Sequence, residues 1–504
     1  MKILPMDELA EVLAREKARD RKVVLCHGVF DLLHPGHIQH FQDARQLGDI
    51  LVVTVTADAH VNKGPGRPAF THRLRMESLA AMECIDYVAL SEWPTALEVI
   101  RRLRPDFYVK GTEYSDVDND LTGKILEEVE AVREVGGSVH YSRGEVFSSS
   151  SLINRHFGTL GDQAHAYLED FRKRHSADEV LASLRAVADL RVLVVGDVII
   201  DQYCYCTALA KSPRETIVAA RHNSEEQFAG GSLAIANHLA GLCRQVTLVS
   251  TMGVEEGYEA FARSRLRPNV DLEIVHTPHR PTVVKRRFLE ATFMGKMFEI
   301  QHLDDTPLDP ETEGILARKL EALVDGHDLV VVADFGHGLL TERVVRLLGA
   351  SQAFLAVNTQ TNSANMGFNR ITRYPRVNYA CLHEFEVRIS MGSQYGPLPL
   401  LATELRRSLH ATRCMVTRGP NGTMLVESSD TILETPSLTR TVVDRVGAGD
   451  TVFSATAPLV RTGCDGEIVG FVGNCAGAMA VHTVCNRDPI DFASLAKFMS
   501  HLLK

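Results

Sequence analysis

The sequence predicts an α/β protein built as two units, each a parallel sheet flanked by helices. Three observations predict it. Short, continuously apolar runs such as Lys22-Val-Val-Leu-Cys26 and Ile50-Leu-Val-Val-Thr-Val55 have the pattern of strands buried on both faces. They alternate with helical stretches, as parallel strands joined by helical crossovers do. The alternation pauses in a polar stretch over 158–178 and then resumes. A length of 504 residues suits roughly two to four domains and supplies enough apolar residues for two cores without disulfides or metals.

Taken in order, residues 7–20 read as an amphipathic helix and 22–26 as a buried strand. A helix follows from about Gly36 to Leu47, then a strand over 50–55. Helix 71–82, strand 85–89, helix 95–103 and strand 107–109 continue the pattern, which closes near 139–141 and a serine-rich loop at 148–151. The second unit begins at the strand 191–195. Its further strands are expected at 246–250, 329–333, 353–357 and 413–417, with a long helix starting near Gly449. The expected domains are 1–160 and 179–504, with 161–178 as linker.

Composition narrows the function. Hydrophobic residues make up 45% and charged residues 23%, which excludes a disordered, collagen-like or coiled-coil chain. The net charge is −10, and residues 1–160 carry 19 basic against 24 acidic side chains, so neither a nucleic-acid surface nor a polybasic membrane patch is expected. The ten cysteines are scattered without a Cys-x-x-Cys pair and read as reduced thiols. The first residues lack the apolar core of a signal peptide, and no run of about 18 apolar residues occurs. A cytoplasmic protein is therefore expected.

Residues 28–37 read Gly-Val-Phe-Asp-Leu-Leu-His-Pro-Gly-His, directly after a buried strand and at the head of a helix. A helix start offers unpaired N–H groups and partial positive charge to an anion. Gly28 lets the backbone approach a ligand, and Gly36 lets the helix begin tightly. His34 and His37 can then stabilise charge developing on a leaving pyrophosphate. This string resembles the His-x-Gly-His signature of the cytidylyltransferase-like nucleotidyltransferases, over about residues 20–157. Phe70-Thr-His-Arg73, Asp106-Phe-Tyr-Val-Lys110-Gly111 and the loop Glu145–Ser151 resemble further elements of that family. The resemblance implies a Rossmann-like domain in which a phosphate oxygen attacks the α-phosphorus of a nucleoside triphosphate, normally with Mg²⁺. It assigns His34, His37, Lys63, Arg73 and Lys110 to charge stabilisation. Gly28, Phe30, Gly36, Gly111, Ser148, Ser149 and Ser150 go to the nucleotide, and Asp31 to the acceptor.

Residues 444–451 read Asp-Arg-Val-Gly-Ala-Gly-Asp-Thr and lead into an apolar helical run. Small residues at a helix start allow successive N–H groups to form an anion hole. A carboxylate at that place, Asp450, can accept the proton of a hydroxyl attacking a γ-phosphoryl group. With Gly196-Asp197-Val-Ile-Ile-Asp201, Gly230-Gly231, Lys285-Arg-Arg287, Asp334-Phe-Gly-His-Gly338 and Val416-Thr417-Arg418-Gly419, this resembles the ribokinase-type carbohydrate kinases over about residues 180–500. The resemblance implies a ribokinase-like domain. In it Asp450 is the base, and Thr417, Gly419, Gly447, Ala448, Gly449 and Asn474 meet the nucleotide. Asp197, Asp201, Gly230, Gly231, Lys285 and Asp334 meet the sugar.

The two modules together resemble the bifunctional heptose kinase/nucleotidyltransferases that make ADP-heptose for bacterial lipopolysaccharide, with the module order reversed. That pairing implies ATP, a sugar phosphate and a homodimer. The kinase half departs from the family at Ala234, where Asn is usual, in Ala380-Cys381-Leu-His-Glu384, which lacks the usual Thr-Pro-Asn before Glu-x-Glu, and at Val446, where Thr is usual. Two alternatives stay open: CTP with a polyol phosphate, and a catalytically silent kinase-like domain that binds sugar or dimerises.

Overall fold

The computed structural model describes residues 2–61, 68–111, 124–142, 160–211, 218–255, 257–292 and 294–503. The chain divides into two compact units, residues 1–160 with 496–504, and residues 161–495.

The first unit is a sheet of β1 (Val23–Gly28), β2 (Ile50–Thr56), β3 (Tyr87–Ser91), β4 (Phe107–Lys110) and β5 (Ser138–Tyr141). All pairs are parallel, in the order β3-β2-β1-β4-β5. Every residue of β2 is buried, as its unbroken apolar run requires. The order reverses between β1 and β4, and open α/β sheets take ligands outside the carboxyl ends of strands at such a reversal. Leu9 and Leu13 of the helix Met6–Lys17 close one face, and Phe41 and Ala44 of the helix Pro35–Arg45 close the other. Asp20, with φ at 63°, lies beyond the end of the first helix, so that helix stops three residues short of expectation.

The second unit holds two sheets. Its larger sheet contains β6 (Arg191–Gly196), β9 (Gln245–Met252), β10 (Val270–His276), β13 (Leu329–Asp334), β14 (Leu355–Thr359), β15 (Tyr379–His383), β16 (Arg413–Thr417), β17 (Thr423–Val426) and β18 (Ile432–Thr435). The order is β10-β9-β6-β13-β14-β15-β16-β17-β18, parallel up to β16 and antiparallel after it. Order reverses between β6 and β13, whose carboxyl ends carry Gly196 and Asp334. The smaller sheet, β12-β11-β7-β8, contains β7 (Val198–Lys211), β8 (Val218–Gly231), β11 (Val283–Glu290) and β12 (Gly295–His302). The sequence reading did not anticipate it, because its strands mix charged and apolar residues with little alternation.

The expected linker is largely helical. Asp162–Arg174 forms a helix with Ala164, Leu168 and Phe171 buried, a stripe at helical spacing. Phe171 stacks on Phe471 of the helix Gly466–Ala480 at 4.6 Å, and Arg174 pairs with Glu467 at 2.6 Å. Its polar composition reflects only the outer face. The ten cysteines are all unpaired, and eight are buried. No helix among the described residues is long and apolar enough to cross a membrane.

Candidate active sites

In the first unit, β1 ends at Gly28 and the chain turns through Phe30, whose φ is +49°. A Cβ on Gly28 would lie 3.0 Å from the Phe30 ring, so glycine lets the ring fold back over the strand end. His34 precedes the helix Pro35–Arg45 in extended conformation, with proline in the first turn where no N–H is needed. The His34 and His37 rings stack at 3.9 Å with 23° between planes, and Phe30 meets His37 edge-on at 5.4 Å. Two imidazoles therefore stand side by side at a helix start, beyond the strand where the sheet order reverses. On the neighbouring strand end, Lys110 Nζ lies 2.6 Å from Glu128, which also accepts from Tyr108 at 3.2 Å. The ammonium is thereby held at the end of β4, followed by Gly111.

His27 on β1 was not singled out from sequence. It is half-buried, bonded to Thr54 at 2.9 Å, and desolvation with nearby Lys110 pulls its pKa down to about 3. It is a fixed neutral ring.

Two assignments in this unit change. Arg73 projects into solvent and pairs with Glu77 at 3.0 Å, its side chain 81% exposed. Two residues on, the opposite face of the same helix buries Arg75, which donates to the carbonyls of Phe70, Val29 and Thr56 and to Asp58. Asp31 accepts from the backbone N–H of Ala69 and Phe70 at 2.9 and 3.0 Å, so its carboxylate anchors that segment. Lys63, Ser148, Ser149 and Ser150 lie outside the described residues.

In the second unit the chemistry gathers where β6 passes into β7. Asp197 is buried between the sheets and accepts from the N–H groups of Phe335 and His337. Burial, and then the nearby Asp334, raise its pKa to about 7. Asp201 pairs with Arg287, which also meets Glu299 at 2.7 Å. Gly230 and Gly231 are required by close approach. A Cβ on Gly230 would meet Asp201 Oδ2 at 2.0 Å; Gly231 has φ +56° and would meet the Asp197 carbonyl at 2.6 Å. Lys285 stands opposite Asp201 in the β7–β11 register. It is 7% exposed, and burial lowers its pKa.

Gly447, with φ +81°, precedes the helix Ala448–Arg461, where Ala448 and Gly449 open the first turn. Asp450 is buried in that turn and accepts from Gln360 at 3.0 Å. Burial first, then Asp201 and Glu386, raise its pKa to about 7. A base with that affinity is poised for proton transfer near neutral pH. The loop is braced by Asp444, which accepts from Tyr203 at 2.5 Å, Lys296 at 2.6 Å and the Cys485 N–H at 3.1 Å. Sequence reading gave no role to Gln360, Glu386 or Asp444: Gln360 lies in no motif, and Asp444 and Glu386 stand within motif strings whose local spacing does not show what they contact. Thr417 ends β16 beside His383 of β15, and Gly419 turns with φ +54°.

Two assignments change here as well. Asp334 accepts from Asn369, from Arg373 at 2.5 Å and from Tyr374 at 2.7 Å, so its carboxylate is consumed in holding the loop after β14. Asn474 spends its amide on Thr423 at 2.7 Å and on the Gly470 carbonyl, tying its helix to β17. Among the described residues no group of three or more His, Cys, Asp or Glu is arranged to hold a metal ion.

The cytidylyltransferase-like family matches residues 25–155, and the pfkB family of carbohydrate kinases matches residues 189–491. The bifunctional protein HldE of Citrifermentans bemidjiense is 47% identical over 140 residues, 27% of this chain and 27% of that relative. The HldE of Azotobacter vinelandii is 29% identical over 272 residues, 54% of this chain and 56% of the relative. The matches thus span between about a quarter and about half the length of these relatives. Phosphofructokinase-2 from Escherichia coli, in its complex with potassium, shares the fold with TM-score 0.51 and 16% identity, covering 62% of this chain and 100% of that one. A ribokinase from Thermotoga maritima does so with TM-score 0.50 and 15% identity, over 62% and 99%. A Rossmann-like sheet with paired histidines, followed by a ribokinase-like unit with a buried aspartate at a glycine-rich helix start, is accordingly what this chain contains: it belongs to the pfkB family of carbohydrate kinases and carries a cytidylyltransferase-like domain ahead of the kinase domain.

Proposed function

We propose that the protein activates a sugar by two separate reactions. The first unit transfers a nucleotidyl group from a magnesium nucleoside triphosphate to a sugar 1-phosphate of heptose type. An acceptor phosphate oxygen attacks the α-phosphorus, and pyrophosphate leaves toward His34 and His37, with Lys110 offsetting charge from the end of β4. No protein nucleophile is needed; positioning and charge neutralisation supply the catalysis. ATP is favoured as donor, because the pairing with a carbohydrate kinase points to an ADP-sugar of the kind used for bacterial surface polysaccharide.

The second unit transfers the γ-phosphoryl group of ATP to a hydroxyl of a sugar or sugar phosphate. Asp197 and Asp201 hold hydroxyls, Asp450 takes the proton of the attacking one, and the N–H groups at Gly447–Gly449 hold the phosphates. Lys285, among these acids, balances the transferring charge. Asp450 is the observation that carries this reading: a buried carboxylate with pKa about 7 at the head of a helix. A second copy of the chain is the proposed partner. Phe298 and Ile300 are about half exposed on the smaller sheet, and Phe298 stacks on Phe288 at 4.5 Å, an apolar face suited to self-association.

Purified protein should be assayed with each of four nucleoside triphosphates and a panel of sugar phosphates, following pyrophosphate and ADP separately. Pyrophosphate with ATP and a heptose 1-phosphate, and ADP with a sugar, are expected; pyrophosphate only with CTP reverses the nucleotide assignment. The loss of Asp334 and Asn474 to structural bonds favours a second reading, in which the kinase-like unit binds sugar without turnover. Absence of ADP formation with every sugar tested, alongside normal pyrophosphate release, selects it.

A further inference from the structure

The turn Asp334–Gly338 is built more firmly than a connection needs. Gly336 and Gly338 have φ of +72° and +84°, and a Cβ on them would meet Asn365 at 2.7 Å and the Thr306 carbonyl at 2.0 Å. Asp197 Oδ2 accepts from the N–H groups of Phe335 and His337. Arg280 donates to the carbonyl of His337 at 3.0 Å and to that of Asp304. These constraints hold one side chain in place, His337. It is 3% exposed, and neither ring nitrogen has a hydrogen-bond partner among the described residues. Leaving both nitrogens of a buried ring unpaired is costly, so such a group in a braced turn points to a ligand.

His337 and Asp197 line a cavity of about 20 Å³ together with Thr251, Thr277 and Arg280. That volume takes one water-sized group. The ring is neutral: burial, then Lys285 and Arg280, pull its pKa down to about 3. A neutral imidazole offers one donor and one acceptor, and a hydroxyl answers both. A phosphate is too large for that volume, and the Arg280 Nη2 that lines the cavity already donates to the carbonyls of Asp304 and His337.

Resting on the kinase reading of this unit, we propose that His337 and Asp197 form a subsite for one uncharged hydroxyl of the sugar. His337 is thus a specificity-determining residue, and the accepted sugars carry a free hydroxyl, with no phosphate or carboxylate, at that position.

Calorimetric binding tests this without requiring turnover. The probes are D-ribose, fructose 6-phosphate and a heptose 7-phosphate, each with its monodeoxy analogues, against wild type, His337→Leu, His337→Gln and Asp450→Asn. For a sugar that binds, one monodeoxy analogue should bind wild type at least 10-fold more weakly. His337→Leu should bind parent and analogue alike, and His337→Gln should restore part of the discrimination through its amide. Discrimination unchanged in His337→Leu overturns the proposal, as does equal binding of every analogue to wild type, or binding of none of the probes. If His337→Leu does not fold, a His337→Gln protein with wild-type affinity and discrimination at every position overturns it. Wild type that binds and discriminates but forms no ADP refutes the kinase reading and leaves the subsite standing.

Discussion

Burial raises the proton affinity of Asp450 until its pKa stands at about 7, and this one property sets two expectations in opposite directions. As a base it acts only when deprotonated. ADP formation should therefore fall as pH drops below 7, approaching tenfold per pH unit, and be flat above it. Asp450→Asn should lower the rate by roughly 10²-fold or more at all pH values, since the amide keeps the Gln360 bond but takes no proton. A pH profile of kcat measures both. For stability the sign reverses. A carboxyl whose folded pKa exceeds its unfolded one near 3.8 binds more protons when folded, so its contribution is lost as pH rises from about 4 through 7. At pH 8 Asp450→Asn should thus make the second unit more stable, by roughly 1–3 kcal/mol, while inactive. Thermal unfolding at pH 8 checks it; a less stable variant contradicts the burial account. In the first unit, His37→Ala should cut pyrophosphate release by roughly 10²-fold without loss of fold, because the ring packs at a turn.

At the scale of elements, the helix His72–Ala80 separates two arginines that look equivalent in sequence. Residues two apart lie about 200° apart around a helix, so Arg73 faces water when Arg75 faces the core. Arg73→Ala should change neither activity nor stability measurably, an exposed i,i+4 pair being worth about 0.3–0.5 kcal/mol. Arg75→Ala should destabilise the first unit by about 3–5 kcal/mol, leaving three carbonyls and Asp58 without their donor. Urea denaturation of both variants decides between the two arginines. Gly231 is a comparable hinge in the second unit, joining β8 to the helix Ser232–Ala240. Gly231→Ala forces a side chain into positive φ and against the Asp197 carbonyl, at a cost of at least about 2 kcal/mol, and should displace Asp197 with loss of sugar binding.

Over the whole molecule, each chemistry has its own sheet and its own strand-order reversal, so the two should be separable. In one preparation assayed both ways, Asp450→Asn should remove ADP formation and spare pyrophosphate release; His37→Ala should do the converse. Loss of both activities in a folded single variant overturns the two-site arrangement. The proposed dimer is tested by Ile300→Asp, which places a charge on the apolar face of the smaller sheet and should shift the mass measured by light scattering toward monomer.

What the sequence by itself determined is local. The buried strand, the tight turn at Gly28 and the helix headed by His34 and His37 are adjacent in the chain, and so are Gly447, Ala448, Gly449 and Asp450. Strand burial, glycine turns and helix starts follow from neighbouring residues, so the α/β class and the local geometry of both candidate anion sites were legible. Only tertiary structure decided the rest. It brought Asp450 within electrostatic range of Asp201 and Lys285, and it set the proton affinities, which depend on burial and on charges far away in sequence. It consumed Asp334 and the Asn474 NH2 in structural bonds, turned Arg73 outward, packed the 162–174 stretch as a helix, and left both ring nitrogens of His337 without a hydrogen-bond partner among the described residues. Motifs record which groups a site can use. Which of them are free to use is settled by non-local hydrogen bonding, because a carboxylate whose oxygens, or an amide whose N–H groups, are already bonded has those groups no longer to offer a substrate.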